Sequence, residues 1–309
     1  MARLLRFIPD GGSLVEVTTR TIQSRLLLTP SPELNRIILG ALARASRSYQ
    51  VGVVAFAFLS DHYHLLLWTE DAERLARFMN LFNSKLAREV ARLTGWKDKI
   101  WSRRYRPIVV SSEEAAQAAR LRYVLSNSCK EDLVARVEEW PGVHCASALL
   151  SGHPLQGVWI NRTQEYLARQ KGRMPGSQCF EEIETLTLTP LPCWEHLSPE
   201  KYRSQIADLV QSVEATAEAQ RKQSGKQPLG PEAVLRQDPT GEARHTKKSP
   251  APLFHAFRAV VRKDLYRLYS EFVVAFRIAA KKLKSGDRNA AFPIGSFPPH
   301  LPFVRVLPA

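Results

Sequence analysis

The residues with the clearest chemical potential are two histidines, His62 and His64, which flank Tyr63 inside an apolar segment. Alternate residues of a β-strand lie on the same face of a sheet, so a strand here would place both imidazoles together and Tyr63 on the opposite face. Two imidazoles on one face can bind a divalent metal ion. Histidines with this spacing also occur in purely structural roles, so the spacing alone leaves both interpretations open.

A second pair, Tyr123 and Asn127, lies one helical turn apart in a segment with helical periodicity. A tyrosine phenol has an ordinary pKa of about 10, so it needs a neighbouring cation or base to act as a nucleophile. A phosphodiester under attack needs charge neutralisation, which a divalent metal supplies as a Lewis acid. Taken alone, a helical tyrosine such as Tyr123 is more often an amphipathic packing residue, and Asn127 could simply end the helix.

These side chains must be positioned by a sheet and by a helix beside it. The predicted helices begin at Ser31-Pro32, at Asp71 and at the capping-box pattern Ser111-x-x-Glu114, from which the last runs through Tyr123 to about Asn127. The predicted strands are Leu14–Thr19, Val51–Leu59, His62–Thr69 and Pro107–Ser111. The order β-α-β-β-α-β-α predicts an α+β fold, the ferredoxin-like or RRM-like βαββαβ plan with one further helix, with helices covering one face of an antiparallel sheet.

The rest of the chain divides by composition. We predict a catalytic domain over 1–150, an accessory α/β region of unassigned fold over 151–220, a polar linker over 221–250 and a basic helical extension over 251–309. Within the extension, Pro252–Lys284 has the apolar spacing of one long helix. Its role, docking on the main domain or contacting a polyanion, stays open.

The charge balance favours a nucleic acid as partner. The chain has 44 Lys and Arg against 30 Asp and Glu, a net charge of +14. We find no apolar run long enough for a membrane span, no signal-peptide core and no C-x-x-C pair among the four cysteines. The expectation is a cytoplasmic, nucleoid-associated protein with reduced thiols and no membrane partner.

Four segments, in order, resemble one family, the single-tyrosine HUH transposases, and in particular the REP-associated tyrosine transposases of the insertion-sequence-200-like superfamily. The segments are SDHYHLLL, RLARFMNLFNSKLARE, IWSRRYRPIVVSSEEA and LRYVLSNSCKEDLV, and the resemblance covers about residues 14–148. Two departures stand out. Asp61 replaces the usual Asn before the first histidine, and Ser128 replaces the usual Pro after Asn127. Asp61 is expected at a turn or supporting His62 rather than on the metal.

The resemblance implies that His62 and His64, with Asn127 as third ligand, bind Mg²⁺ or Mn²⁺ and that Tyr123 is the nucleophile. It further implies cleavage and rejoining of single-stranded or hairpin DNA through a 5′-phosphotyrosine link that frees a 3′-hydroxyl. No nucleotide cofactor is needed, because the covalent link conserves the phosphodiester energy. A monomer and a homodimer are both compatible with the resemblance.

Cations and one aromatic residue near these motifs are candidates for contacts with DNA. The candidates are Trp101, Arg103, Arg104, Arg106, Arg20, Arg122, Arg74 and Arg77. On a helical wheel the second predicted helix also carries a basic ridge beside its apolar stripe, and a solvated helix face is the simpler interpretation of that ridge. The ridge consists of Arg74, Arg77, Lys85, Arg88 and Arg92.

Two alternatives remain. The first is a domesticated protein that binds hairpin DNA without cleaving it, against which the retained set His62, His64, Tyr123 and Asn127 argues. The second is a metal-dependent nuclease that uses water, which would form no covalent adduct and would survive Tyr123→Phe.

Overall fold

The computed structural model describes residues 7–172, 176–243 and 252–299. Its centre is a five-stranded, mainly antiparallel sheet in the order β2-β3-β1-β4-β7, in which only β7 runs parallel to its neighbour. The strands are β1 Ser13–Arg20, β2 Gly52–Phe58, β3 His62–Thr69, β4 Arg106–Val110, β5 Leu155–Ile160, β6 Glu181–Leu186 and β7 Phe254–His255. The helices are α1 Pro32–Tyr49, α2 Ala72–Thr94, α3 Glu114–Lys130, α4 Ala146–Ser151, α5 Arg162–Gln170, α6 Pro199–Ser224, α7 Pro231–Leu235 and α8 Ala259–Lys284.

The predicted order β-α-β-β-α-β-α is confirmed over the first 130 residues. Local signals set the helix ends. The side chains of Ser31 and Asp71 accept hydrogen bonds from the backbone of the first turns of α1 and α2. Gly95 ends α2 in the left-handed conformation that glycine adopts without strain.

Helices cover both faces of the sheet, whereas the sequence predicted helices on one face. On one face the Tyr63 ring packs against Phe82 of α2, and on the other His64 contacts Tyr123 of α3. Because adjacent residues of a strand point to opposite faces, this places α2 and α3 on opposite sides of β3. On the α2 side the aromatic rings of Phe58, Tyr63 and Phe82 are buried and pack against one another.

The accessory region forms a two-stranded sheet, β5 and β6, that packs on α1. Gly40 of α1 and Gly157 of β5 allow the close approach, since a Cβ on either would overlap backbone atoms of the other element. The hairpin covers Lys85 of α2, which is 4% exposed and donates to Glu89 and to the carbonyl of Ile160. Lys85 therefore does not belong to an exposed basic ridge, contrary to the helical-wheel prediction.

The predicted capping box at the start of α3 is wrong. The residue that precedes α3 is Glu113, without a side-chain cap, and the Ser111 hydroxyl donates to the Glu113 carboxylate. That carboxylate accepts from the backbone N–H groups of Phe257 and Arg258 and from the Arg258 guanidinium. It is therefore occupied in holding the C-terminal segment.

The predicted polar linker differs from the structure over its described part. Residues 221–224 complete α6, and the chain then packs on the domain through the buried Val234 of α7. Residues 241–243 make backbone hydrogen bonds to residues 24–26. Residues 244–250 lie outside the described residues.

The predicted helix over Pro252–Lys284 begins later, at Ala259. Phe254 and His255 instead form β7, because the open edge of β4 offers backbone partners: Val109 N–H donates to Leu253, and Ser111 N–H to His255. No described helix is long and apolar enough to cross a membrane. All four cysteines are free thiols.

Candidate active site

The two histidines lie at the start of β3, where the strand enters the sheet. Their ring centroids are 5.2 Å apart and the ring planes meet at 80°. Tyr63 points to the opposite face, where it is fully buried and its hydroxyl donates to Asn83 over 2.5 Å. Burial of the phenol raises the pKa of Tyr63. The tyrosine between the histidines is thus a core residue, as its strand position predicts.

The Nδ1 atom of each histidine lies within hydrogen-bonding distance of a carboxylate oxygen. The Nδ1 of His62 lies 2.6 Å from Asp61 Oδ1, and the Nδ1 of His64 lies 3.0 Å from Glu16 Oε1. Such contacts fix the tautomer and the ring orientation and leave Nε2 as the atom for a metal. Burial lowers the pKa of His64 to about 4, so its imidazole is neutral at physiological pH.

A salt bridge supports the carboxylate behind His62. The Arg20 guanidinium lies 2.5 Å from Asp61 Oδ2. Burial raises the pKa of Asp61, but the hydrogen bond with His62 and the charges of His62 and Arg20 outweigh burial and hold it below its ordinary value. Asp61 is therefore ionised and supports His62, in agreement with the expectation for this position.

Tyr123 lies on α3 against the imidazole of His64. Its ring centroid is 5.2 Å from that of His64, with ring planes at 85°. The Arg120 guanidinium and the Lys130 ammonium each lie 4.7 Å from the centre of the Tyr123 ring. Burial and the charge of Glu16 raise the pKa of Tyr123, and the Arg120 charge opposes them. The phenol is therefore protonated at rest and surrounded by cations that favour its anion.

Asn127 follows Tyr123 by one turn of α3 and is 1% exposed. Its Nδ2 donates to the carbonyls of Tyr123 and Val124, over 2.8 and 3.2 Å. The side chain is therefore bound to its own helix through the amide nitrogen, and Oδ1 is the atom with the chemistry of a metal ligand.

The donor chemistry fits a divalent metal, with a limited set of protein ligands. Within the described residues, no group of three or more His, Cys, Asp and Glu side chains could hold a metal ion. The two imidazoles, each with a carboxylate on its Nδ1 side, and the amide oxygen of Asn127 are the candidate donors among the described residues. Such a set leaves positions for a phosphate oxygen and water, as catalytic metal sites do.

Several predicted DNA-binding residues lie at the end of the sheet where β3 begins with His62. Arg20 ends β1 beside His62 in register, and Arg106 begins β4 opposite Thr18, on the same face as His64. Arg103 and Arg104 are exposed in the preceding loop. A groove of about 300 Å³ beside this loop is lined by Ala76, Met79, Asn80, Asn83, Ser84, Trp101, Arg103, Arg104 and Tyr105. This end of the sheet therefore combines cations with an aromatic surface.

Trp101 is fixed by two contacts at this end of the sheet. Its indole N–H donates to the carbonyl of Asn83 over 3.1 Å, and its ring contacts Tyr63 at 5.6 Å between centroids. Trp101 therefore supports the far side of the histidine strand as well as lining the groove.

The other predicted cations are paired with neighbouring side chains. Arg74 and Arg77 lie in the first turns of α2 and pair with Glu70, Asp71 and Glu73. Arg122 points toward α6, where it donates to Thr216 over 2.9 Å.

Three residues of the site were missed in the sequence: Glu16, Arg120 and Lys130. Glu16 carries a usable signal, since it is a lone carboxylate inside the β-branched run of β1. Arg120 and Lys130 lie three residues before and seven after Tyr123, which is one face of a helix. That spacing could have identified both.

A family model supports the sequence resemblance. Residues 21–127 match the family model of IS200-like transposases. A solved REP-associated tyrosine transposase bound to a REP hairpin is 17% identical, with a TM-score of 0.38, over 49% of this chain and 86% of that chain. A candidate transposase from Deinococcus radiodurans R1 is 17% identical, with a TM-score of 0.28, over 39% of this chain and 94% of that chain. No curated protein matches the sequence.

Proposed function

We propose, because residues 21–127 match the family model of IS200-like transposases, that the chain cleaves and rejoins single-stranded or hairpin DNA through a covalent link to Tyr123. The observation that carries the proposal is the contact of the Tyr123 ring with His64, at 5.2 Å between centroids. A nucleophile and two candidate metal ligands thus meet at one point.

The proposed step is a transesterification. The phenolic oxygen of Tyr123 forms a bond to phosphorus and gives up its proton to water, while the bond from phosphorus to the 3′ oxygen breaks. The 3′ oxygen leaves with the bonding electron pair and takes a proton from water to become a hydroxyl, so no net proton is gained or lost. The 5′-phosphate of the downstream fragment stays on Tyr123, and attack by another 3′-hydroxyl reverses the step without an external energy source.

His62 and His64 are the first two proposed metal ligands, and Asn127 is the proposed third ligand. A Mg²⁺ or Mn²⁺ ion bound there supplies Lewis-acid polarisation of a nonbridging phosphate oxygen. Asp61 and Glu16 hold the two imidazoles by their Nδ1 atoms, 2.6 and 3.0 Å away, which presents Nε2 to the site.

The cations around Tyr123 stabilise negative charge. Arg120 and Lys130 each lie 4.7 Å from the ring centre and lower the cost of forming a phenolate. Both are also close enough to attract the phosphate that Tyr123 attacks, so they are expected to act on substrate and nucleophile together.

The DNA strand is proposed to enter over the end of the sheet where β3 begins with His62. Arg103, Arg104 and Arg106 supply backbone contacts there, and Trp101 lines the groove next to them. A single strand fits this edge better than a duplex, because a phosphate between paired bases is harder to bring against the buried histidines.

A denaturing gel tests the proposal. The probe is a hairpin oligonucleotide with a randomised single-stranded flank, labelled at its 3′ end because the downstream fragment stays on the protein. We expect a band of protein linked to DNA that requires Mn²⁺, Tyr123 and His64. Tyr123→Phe and His64→Ala should abolish the band, whereas Tyr166→Phe, an exposed tyrosine on α5, should leave it unchanged.

Two results would contradict the proposal. Tight binding of the probe without cleavage would indicate a hairpin-binding protein. Cleavage by Tyr123→Phe at the wild-type rate, without an adduct, would indicate a nuclease that uses water.

A further inference from the structure

Glu16 is the most deeply buried carboxylate in the candidate active site. It lies in the middle of β1, is 1% exposed, and shares the sheet face of His64. A carboxylate at this depth is stable only when its oxygens are paired. Both oxygens of Glu16 have partners, and the partners belong to different parts of the site.

The first partner is a proposed metal ligand. Oε1 of Glu16 accepts from the Nδ1 of His64 over 3.0 Å, and the Thr18 hydroxyl lies 2.9 Å from the same nitrogen. A proton held on Nδ1 leaves the lone pair on Nε2. Glu16 thus selects the tautomer of His64 that can bind a metal.

The second partner belongs to the helix of the nucleophile. Oε2 of Glu16 accepts a hydrogen bond from the Arg120 guanidinium, and the same guanidinium lies 4.7 Å from the centre of the Tyr123 ring. The side chain of Arg120 therefore extends from α3 to β1 along the Tyr123 ring. This ties the face of α3 that carries Tyr123 to the strand beside His64.

We infer that Glu16 is a positioning residue that aligns the metal ligand His64 and the nucleophile Tyr123 through its two carboxylate oxygens. The inference rests on the proposed function and extends it, because it assigns the alignment of two catalytic parts to one residue outside the matching motifs. Glu16 contacts His64 and Arg120 and acts through them.

Glu184 provides a matched comparison. It is 7% exposed, lies on β6 and pairs with Arg44 and Arg47 of α1, so it is also a buried carboxylate between a strand and a helix. Loss of its charge removes a structural ion pair without touching the candidate site. A purely structural Glu16 would behave like Glu184.

The experiment uses the full chain as wild type, Glu16→Gln and Glu184→Gln. The first readout is ¹⁵N NMR of the histidine rings without metal, and the second is Mn²⁺ binding by electron paramagnetic resonance. We expect Glu16→Gln to shift His64 toward the other tautomer and to weaken Mn²⁺ binding about 10- to 100-fold, as loss of such support does in metal sites. Glu184→Gln should change neither.

Arg120→Met tests the link to Tyr123 and serves as the second variant if Glu16→Gln fails to fold. It keeps the pair of Glu16 and His64, so Mn²⁺ affinity should stay within about twofold while the yield of covalent adduct falls at least about tenfold. In a Glu16→Gln background the same change should have a smaller effect, since the link is already lost.

Three outcomes overturn the inference. One is Mn²⁺ affinity and a His64 tautomer in Glu16→Gln that equal those of Glu184→Gln. Another is an Arg120→Met effect that is the same with Glu and with Gln at position 16. A wild type that binds no Mn²⁺ and forms no adduct rejects the proposed function and the inference together, whereas the first two outcomes reject the inference alone.

Discussion

The ring of Tyr123 lies edge-to-face against the imidazole of His64, with centroids 5.2 Å apart and planes at 85°. Both residues belong to one chain, and α3 packs on the sheet of its own domain. In this arrangement the proposed nucleophile and the two proposed metal ligands come from the same chain. The proposed function therefore has a direct consequence for mixed variants, because an enzyme in which two subunits exchange the tyrosine helix would behave differently.

We predict that inactive variants do not complement each other. A mixture of Tyr123→Phe and His64→Ala should form no covalent adduct, because neither chain has both residues in one site. Adduct yield should be measured on a denaturing gel after the two proteins are unfolded and refolded together. Yields near one quarter of wild type or above would mean that sites are shared between chains.

The ion pair beneath β5 and β6 should matter for stability and not for chemistry. Glu89 is 1% exposed and accepts from Lys85 and Arg162. Glu89→Gln removes the carboxylate that Lys85, Arg92 and Arg162 share, and it should lower the free energy of unfolding by about 3 kcal/mol in a urea titration.

The exposed pair of Glu73 and Arg77 is the control for that prediction. Glu73→Gln should change the free energy of unfolding by less than about 0.5 kcal/mol. Folded Glu89→Gln should retain wild-type adduct formation, and a selective loss of adduct would place Glu89 in the site.

Arg103 and Arg104, which lie near the start of β3, should contribute more to DNA binding than the arginines on α2. Arg103→Gln and Arg104→Gln should each weaken binding and reduce the slope of log K against log salt by about 0.7 for a single strand. Arg74→Gln should change the slope less, since its guanidinium already pairs with Glu70 and Asp71. Equal slopes for all three variants would argue against a DNA path over this end of the sheet.

The basic extension should add affinity for the phosphate backbone. Deletion of residues 259–309 removes nine Lys and Arg and three Asp and Glu, but keeps β7 and Arg258. We expect this truncation to flatten the salt dependence of DNA binding, measured by fluorescence anisotropy at several salt concentrations. An unchanged slope would reject the role in DNA binding and leave docking on the domain as the function of α8.

Deletion from residue 251 is less informative. It would also remove β7 and uncover the edge of β4. A truncation that starts at 259 separates the loss of charge from damage to the sheet.

The sequence was sufficient where local signals decide the structure. Ser31 and Asp71 cap their helices, and the alternation around Tyr63 puts the two histidines on one face. The resemblance then directed attention to Tyr123, and the fold brings that residue to the histidines. The helix caps and the strand alternation depend on neighbours within a few residues, whereas the contact of Tyr123 with His64 depends on the fold.

The errors concern contacts between distant segments. Lys85 has the spacing of an exposed basic residue, but a hairpin some 75 residues later covers it. Phe254 has helical spacing, yet it pairs with the open edge of β4. Glu16 becomes meaningful only when β1 and α3 are both in place. A local pattern can single out Glu16 as an unusual carboxylate in a strand, but it does not show which distant residues contact Glu16, Lys85 or Phe254.

Mapping of the residue that carries the nucleotide tests the central claim most directly. The full chain is incubated with the hairpin oligonucleotide and Mn²⁺, digested with nuclease and protease, and examined by mass spectrometry. The account predicts one peptide with a nucleotide 5′-phosphate on Tyr123. A nucleotide on any other residue, or cleaved DNA without a modified peptide, would contradict it.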